Sequence, residues 1–215
     1  MTIAIKICGI KTPEAVQAAA RAGATHVGFV FFKESPRLVA AVRAGELAKL
    51  APALKTVALT VDADDAALDA IVRDARPNIL QLHGSETPAR VAEIKARHRL
   101  PVMKAVAISS AEDVERAHDY EAVADILLFD AKPDALPGGN GLAFDWNLIA
   151  KEKWSKPWVL SGGLNPDNVA DAIRTTHARG VDVSSGVETS RGEKDAKLIE
   201  RFIASARTAL AESQV

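Results

Sequence analysis

Six polar residues of this chain each stand at the end of a short apolar run: Cys8, Asp62, His83, Asp130, Ser161 and Ser184. Cys8, the single cysteine, closes the run that begins at Ile3 and is followed by Gly9, so a lone thiol sits where an extended segment gives way to a helix-like one. Such a thiol is a candidate catalytic group, although free cysteine also serves as a small buried hydrophobe. Asp130 ends the run Ile126-Leu127-Leu128-Phe129 and precedes a loop, Ala131 to Leu142, with two prolines and three glycines. A carboxylate there suits general acid-base work, because the apolar run desolvates it and the loop can close over it. The alternative for Asp130 is an Asx-turn into the loop.

Two further segments point to phosphate. Leu160-Ser161-Gly162-Gly163-Leu164 and Val183-Ser184-Ser185-Gly186-Val187 each follow an apolar run with small residues that let backbone N–H groups approach an anion. Gly162, Gly163, Ser185 and Gly186 are the expected phosphate-binding positions, with tight turns as the alternative reading of their glycines. Arg37, in Ser35-Pro36-Arg37, offers a planar fork of donors for a substrate carboxylate, or it lies solvated on the surface. His83, in Gln81-Leu82-His83-Gly84, either touches substrate or bonds backbone in a turn. Asp182 falls inside an apolar run, where it must pair with a neighbour or face a polar opening. His26, His98, His118 and His177 fall in or beside helical segments without ligand spacing, so no metal site is expected.

The elements that position these residues follow from pattern. Apolar, β-branched runs recur at Ile3 to Cys8, His26 to Phe31, Thr56 to Val61, Ile79 to Leu82, Val102 to Ile108, Ile126 to Phe129, Trp158 to Leu160 and Val181 to Val183. Continuous apolarity, rather than alternation, marks parallel strands covered on both faces. Alanine-rich amphipathic segments lie between them, opened by Thr12-Pro13-Glu14, Asp64-Asp65, Thr87-Pro88, Ser109-Ser110 and Asn165-Pro166-Asp167. A final helix from Glu193 to Leu210 closes the pattern, with Glu212 to Val215 as a frayed tail. Eight strand-helix units predict an α/β fold, a (β/α)8 TIM barrel, with residues 1–215 as a single domain. The rival, a doubly wound sheet, carries a G-x-G-x-x-G turn after its first strand, and Cys8-Gly9-Ile10-Lys11 is not one. In a barrel of this kind the strand-end residues share one mouth, and the loops after strands seven and eight are the usual phosphate site.

Of the 215 residues, 48% are hydrophobic and 26% charged, which fits a chain with a sizeable core. One cysteine cannot form an internal disulfide, and no signal-peptide pattern is legible at the start, so a reducing cytoplasm is expected. Apolar stretches fall short of the ~20 residues that cross a bilayer. A net charge of -1 gives nucleic acid no global attraction. A small-molecule substrate is the expected partner, with the assembly open between monomer and homodimer.

Taken in order, Lys6-Ile7-Cys8-Gly9, Gly28-Phe29-Val30-Phe31, Ser35-Pro36-Arg37, Gln81-Leu82-His83-Gly84, Asp130, Gly138-Gly139-Asn140-Gly141 with Phe144-Asp145-Trp146, Gly162-Gly163-Leu164, and Asp182 to Glu188 with Lys194-Asp195 closely resemble the phosphoribosylanthranilate isomerase family of tryptophan biosynthesis. The resemblance implies a cofactor-free Amadori rearrangement. Asp130 is then the general acid and Cys8, as thiolate, the general base. Arg37 is placed on the anthranilate carboxylate, Asp182 near the sugar hydroxyls, His83 near the substrate, and Gly162, Gly163, Ser185 and Gly186 around the phosphate. A free thiol has a pKa near ~8.5, so Cys8 needs a cation, and Lys6, two residues back on the same face of the strand, is the nearest sequence candidate. Asn140 and Arg191 depart from the family's commoner Thr or Ser and Pro. A metal-dependent epimerase barrel or a histidine-pathway isomerase fits worse, the first for want of ligands and the second because it has Asp where Cys8 stands. A non-catalytic phosphate-binding barrel has no use for both Cys8 and Asp130.

Overall fold

The computed structural model describes residues 3–131 and 144–212. Eight parallel strands run in sequence order around a closed barrel: β1 Ala4–Cys8, β2 His26–Val30, β3 Lys55–Thr60, β4 Ile79–Leu82, β5 Val102–Ile108, β6 Ile126–Ala131, β7 Trp158–Leu160 and β8 Gly180–Val183. Closure comes from β1 pairing β8, with Lys6 opposite Asp182. The helices are α1 Pro13–Ala22, α2 Ala41–Ala48, α3 Asp65–Ala75, α4 Pro88–His98, α5 Ala111–His118, α6 Asn147–Ala150, α7 Val169–Thr176 and α8 Ala196–Glu212. The expected TIM barrel is the observed one. No described helix is long and apolar enough to cross a membrane.

Local chemistry sets the helix starts. Thr12, Asp64 and Thr87 each accept the N–H of the third residue on, from Ala15, Ala67 and Arg90, and Pro13 and Pro88 occupy the first turn where no N–H is needed. Ser110 and Asp113 form a reciprocal capping box on α5. Two expected starts shift. Asn165-Pro166-Asp167 forms an Asx-turn, in which Asn165 Oδ1 accepts from the N–H of Asp167 and Asn168, and α7 begins only at Val169. Glu193 does not open the last helix. Glu193–Lys194, strand β10, pairs antiparallel with β9, Glu188–Ser190, and Asp195 then caps α8 by accepting from Leu198 N–H at 2.9 Å. Glu212, expected in the tail, is the last residue of that helix. His26 opens β2 instead of standing beside a helix. The expected mobile loop lies mostly outside the described residues, as do Gly138-Gly139-Asn140-Gly141 and the rest of the tail, Ser213 to Val215.

Strand residues alternate between the barrel interior and the helix layer. Val57, Ile79, Met103, Ala105, Leu128 and Val159 fill the interior as one cluster. Leu80, Leu82, Leu127, Phe129 and Leu160 join the helices in the outer core. This alternation aims the chemistry. Lys6 and Cys8, Gln81 and His83, Leu128 and Asp130, Val159 and Ser161, and Asp182 and Ser184 each stand two residues apart, so each pair shares one side of its strand.

Candidate active site

A narrow cleft opens at the C-terminal ends of the strands, with Cys8, Arg37, His83, Asp130, Ser161, Asp182 and Ser184 among the residues that line it. Residues predicted from sequence on different strand ends and loops therefore converge on one space. Asp62 does not join them. Its carboxylate turns away to accept from Ser85 N–H at 2.7 Å, and its own N–H donates to Glu86.

Cys8 is buried at 3% exposure, and its sulfur fits because Gly28 lies opposite on β2. A Cβ on Gly28 would stand 2.9 Å from Sγ and 3.1 Å from Lys6 Cε, closer than real side chains pack. Lys6 occupies the expected place, but its ammonium is shared: Nζ donates to Asp182 Oδ1 at 2.9 Å, inside the barrel. Burial pushes the Cys8 thiol up, Lys6 pulls it down, Asp182 pushes it up again, and a second cation, Lys194, pulls it down. The balance leaves the thiol above its ordinary range, so Lys6 and Lys194 together do not offset its burial. Asp182 meets both halves of its expectation, since it pairs with Lys6, accepts from Ser161 Oγ at 3.4 Å and faces the cleft.

Asp130 is 6% exposed, and its two oxygens have separate partners. Oδ1 accepts from Ala131 N–H at 2.9 Å, and Oδ2 faces His83 Nε2 at 3.1 Å. His83 bonds side chains on both ring nitrogens, with Gln81 Nε2 at 2.9 Å from Nδ1, rather than backbone in a turn. Arg37 is not a solvated surface residue. Its Nε and Nη2 form a bidentate pair with Glu188, both at 2.8 Å, and Glu188 also accepts from Lys194 Nζ at 2.6 Å and from Gly192 N–H. Burial disfavours the Glu188 carboxylate, but Arg37, Lys194 and Gly192 outweigh it and hold its pKa at about 2. Lys194 further donates to the Ser184 carbonyl, and Ser184 Oγ donates to the Cys8 carbonyl at 3.2 Å.

In the sequence Glu188 and Lys194 stand out only as parts of a motif. Their buried pairing across the β9-β10 hairpin, and the 151 residues that separate Glu188 from Arg37, are not visible as local periodicity. The only legible signal is two charges of opposite sign beside a run of small residues.

The loops after β7 and β8 touch. Gly162 has φ of 84° and Gly163 of 65°, left-handed values that suit glycine, and a Cβ on Gly186 would stand 2.0 Å from the Leu164 carbonyl oxygen. Ser185 opens a single 3₁₀ turn, Ser185–Val187. The four predicted phosphate positions thus lie on two abutting loops. Among the described residues no group of His, Cys, Asp and Glu could hold a metal ion. A second cavity, at the opposite end of the barrel, is lined by apolar side chains that include Met103, Trp154 and Trp158, together with Lys6, His26, Lys156 and Arg179, and, among the described residues, by no carboxylate.

A closed parallel barrel whose strand-end side chains meet in a cleft at the C-terminal rim belongs to the (β/α)8 class of enzymes. A model of the family described as N-(5'-phosphoribosyl)anthranilate (PRA) isomerase matches residues 5–205. The chain belongs to that family. It is 54% identical over 215 residues to the N-(5'-phosphoribosyl)anthranilate isomerase of Parvibaculum lavamentivorans, with 97% of this chain and 100% of the relative covered. The crystal structure of phosphoribosyl anthranilate isomerase from Thermotoga maritima superposes with a TM-score of 0.87 at 35% identity, covering 96% of this chain and 100% of that one. A phosphoribosyl anthranilate isomerase in complex with reduced 1-(o-carboxyphenylamino)-1-deoxyribulose 5-phosphate superposes with a TM-score of 0.84 at 34% identity, with the same coverage.

Proposed function

We propose that Cys8 and Asp130 carry the family's reaction in this chain, the Amadori rearrangement of N-(5-phosphoribosyl)anthranilate to 1-(2-carboxyphenylamino)-1-deoxyribulose 5-phosphate in tryptophan biosynthesis. The observation that carries this reading is that a thiol on β1 and a carboxylate on β6 line one cleft together with Arg37 and Asp182.

Asp130, in its acid form, protonates the ribose ring oxygen. The bond from that oxygen to C1′ breaks as the anilino nitrogen lone pair forms a Schiff base. The Cys8 thiolate, formed against Lys6 and Lys194, then takes the C2′ proton and leaves an enolamine, which tautomerises to the aminoketose. Arg37, held by Glu188 through Nε and Nη2, keeps Nη1 for the anthranilate carboxylate. Asp182 meets the sugar hydroxyls, His83 borders the substrate through Asp130, and the backbone at Gly162, Gly163, Ser185 and Gly186 receives the phosphate. The chain works in the cytoplasm as a monomer or homodimer and as one domain, with its own side chains supplying the acid and the base.

The test is the loss of anthranilate fluorescence when purified protein meets freshly generated phosphoribosylanthranilate. Cys8→Ser and Asp130→Asn are each expected to cut turnover by ~10²-fold or more while circular dichroism stays unchanged, the usual scale for a lost general acid or base. A folded variant that turns over near the wild-type rate removes that residue from the mechanism.

A further inference from the structure

Gln81 is completely buried on β4 and is not one of the residues that line the cleft, so it meets the chemistry only through His83. Its Nε2 faces His83 Nδ1 at 2.9 Å, while its Oε1 has no hydrogen-bond partner among the described residues. On the other side of the ring, His83 Nε2 faces Asp130 Oδ2 at 3.1 Å. A neutral imidazole that accepts at Nδ1 carries its proton on Nε2 and donates it to an ionised carboxylate. One that donates from Nδ1 leaves Nε2 free to accept from a carboxylic acid. The end of the Gln81 amide that meets Nδ1 therefore selects the form of Asp130 that the ring supports. A half-turn of the amide exchanges Nε2 and Oε1 in nearly the same volume, and no second hydrogen bond ties Oε1 down.

We infer that Gln81 is a positioning residue for the acid proton, its amide turning as the His83–Asp130 pair gains or loses that proton; the inference rests on Asp130 being the general acid. With the amide nitrogen toward the ring, the pair holds one proton, on His83 Nε2, and Asp130 is ionised. With Oε1 toward the ring, Nδ1–H donates to it and the pair holds two protons, the second lying between Nε2 and Oδ2. That second proton passes to the ribose ring oxygen as the ring opens. The pair then regains a proton from solvent, or the ring proton returns to Nε2 and the amide turns back.

The charged and titratable groups around the pair are Cys8, Arg37 and Asp182 in the cleft, with Lys6 bonded to Asp182. Behind the His83-Gly84 turn stand Asp62 and the Lys104–Glu86 pair. Substitution at Gln81 leaves all of these in place, so their titration is common to every variant compared.

The experiment is the pH profile of kcat for Gln81→Met and Gln81→Glu, beside the ¹⁵N resonances of the His83 ring in the wild type across the same pH range. Met fills the site and accepts nothing useful from Nδ1–H. The limb set by the His83–Asp130 pair is expected to move down by about one pH unit, a tenfold change in proton concentration. Turnover is expected to fall about tenfold, below the ~10² loss from removing an acid outright, with KM nearly unchanged. Glu accepts more strongly from Nδ1–H, and its limb is expected to move up. In the wild type the His83 proton should pass from Nε2 to Nδ1 as the pair is protonated. A structural role alone lowers both variants without moving either limb. A fixed wild-type tautomer, or limbs that stay in place, overturns the inference even if Gln81→Glu does not fold. If Asp130→Asn keeps its turnover, the acid assignment fails instead, whereas the tautomer measurement does not depend on turnover and still reports on Gln81.

Discussion

At the residue scale, the Cys8 thiol and the Lys6 ammonium are coupled through Asp182. Burial raises the thiol and Lys6 lowers it, so Lys6→Met removes the stronger of its two cations. A base must be deprotonated to work, so the fraction of enzyme that carries the Cys8 thiolate limits kcat/KM. Lys6→Met is expected to leave less of the thiol ionised and so to lower kcat/KM at neutral pH, as read from steady-state kinetics. The same change strands Asp182 in the barrel, and stability is expected to fall by about 3–5 kcal/mol in urea titration. Cys8, Asp130 and Arg37 were legible because a strand end, a loop or a motif marks them without any knowledge of the fold. What holds them was not. Asp182 on β8 is the partner of Lys6 only because the barrel closes, and Glu188 meets Arg37 only because the hairpin folds over the mouth.

At the element scale, the abutting β7 and β8 loops make a sharper test than either alone. Gly186→Ala drives a methyl group into the Leu164 carbonyl and must separate the loops. If these loops receive the phosphate, KM is expected to rise about tenfold, the worth of ~1.4 kcal/mol, with a smaller change in kcat. Steady-state kinetics on the Gly186→Ala protein checks this, and an unchanged KM moves the phosphate elsewhere. The eight strands were readable because sheets covered on both faces are continuously apolar, and α1, α3, α4 and α5 because a capping side chain announces each one. Asn165-Pro166-Asp167 carries the same residue types, yet its side chain serves a turn that precedes the helix. Glu193 and Lys194 misled for a different reason: a two-residue strand has no period, and its charges read equally well as a first helical turn.

At the scale of the whole molecule, the last helix packs against α1 and α7 and completes the outer layer. Phe202→Ala opens a cavity in that layer, and a loss of about 3–5 kcal/mol is expected in equilibrium unfolding, with a smaller effect on turnover. Acid lability is expected in two steps. Burial and the nearby Lys55 and Lys6 hold His26 at about 4, below its usual 6.5, so the unfolded chain takes that proton first and stability falls as pH drops from 6.5 toward 4. Glu188, held at about 2 against its usual 4.5, contributes stability that is lost as pH drops from 4.5 toward 2. Urea midpoints measured across this range should show both slopes, and His26→Gln should lessen the upper one, leaving the share that His98 contributes, without changing the lower one.

The Lys6–Asp182 and Arg37–Glu188 pairs each join the first quarter of the chain to its last fifth. On the ribosome, a nascent chain therefore carries Cys8, Arg37, His83 and Asp130 long before anything can hold the first two in place. The buried ammonium of Lys6 has no counter-charge until β8 has left the exit tunnel, and Arg37 has none until the hairpin follows. Catalytic competence thus waits on the synthesis of β8 and the hairpin, and until then the thiol, the most oxidisable group in the chain, lacks its full shelter.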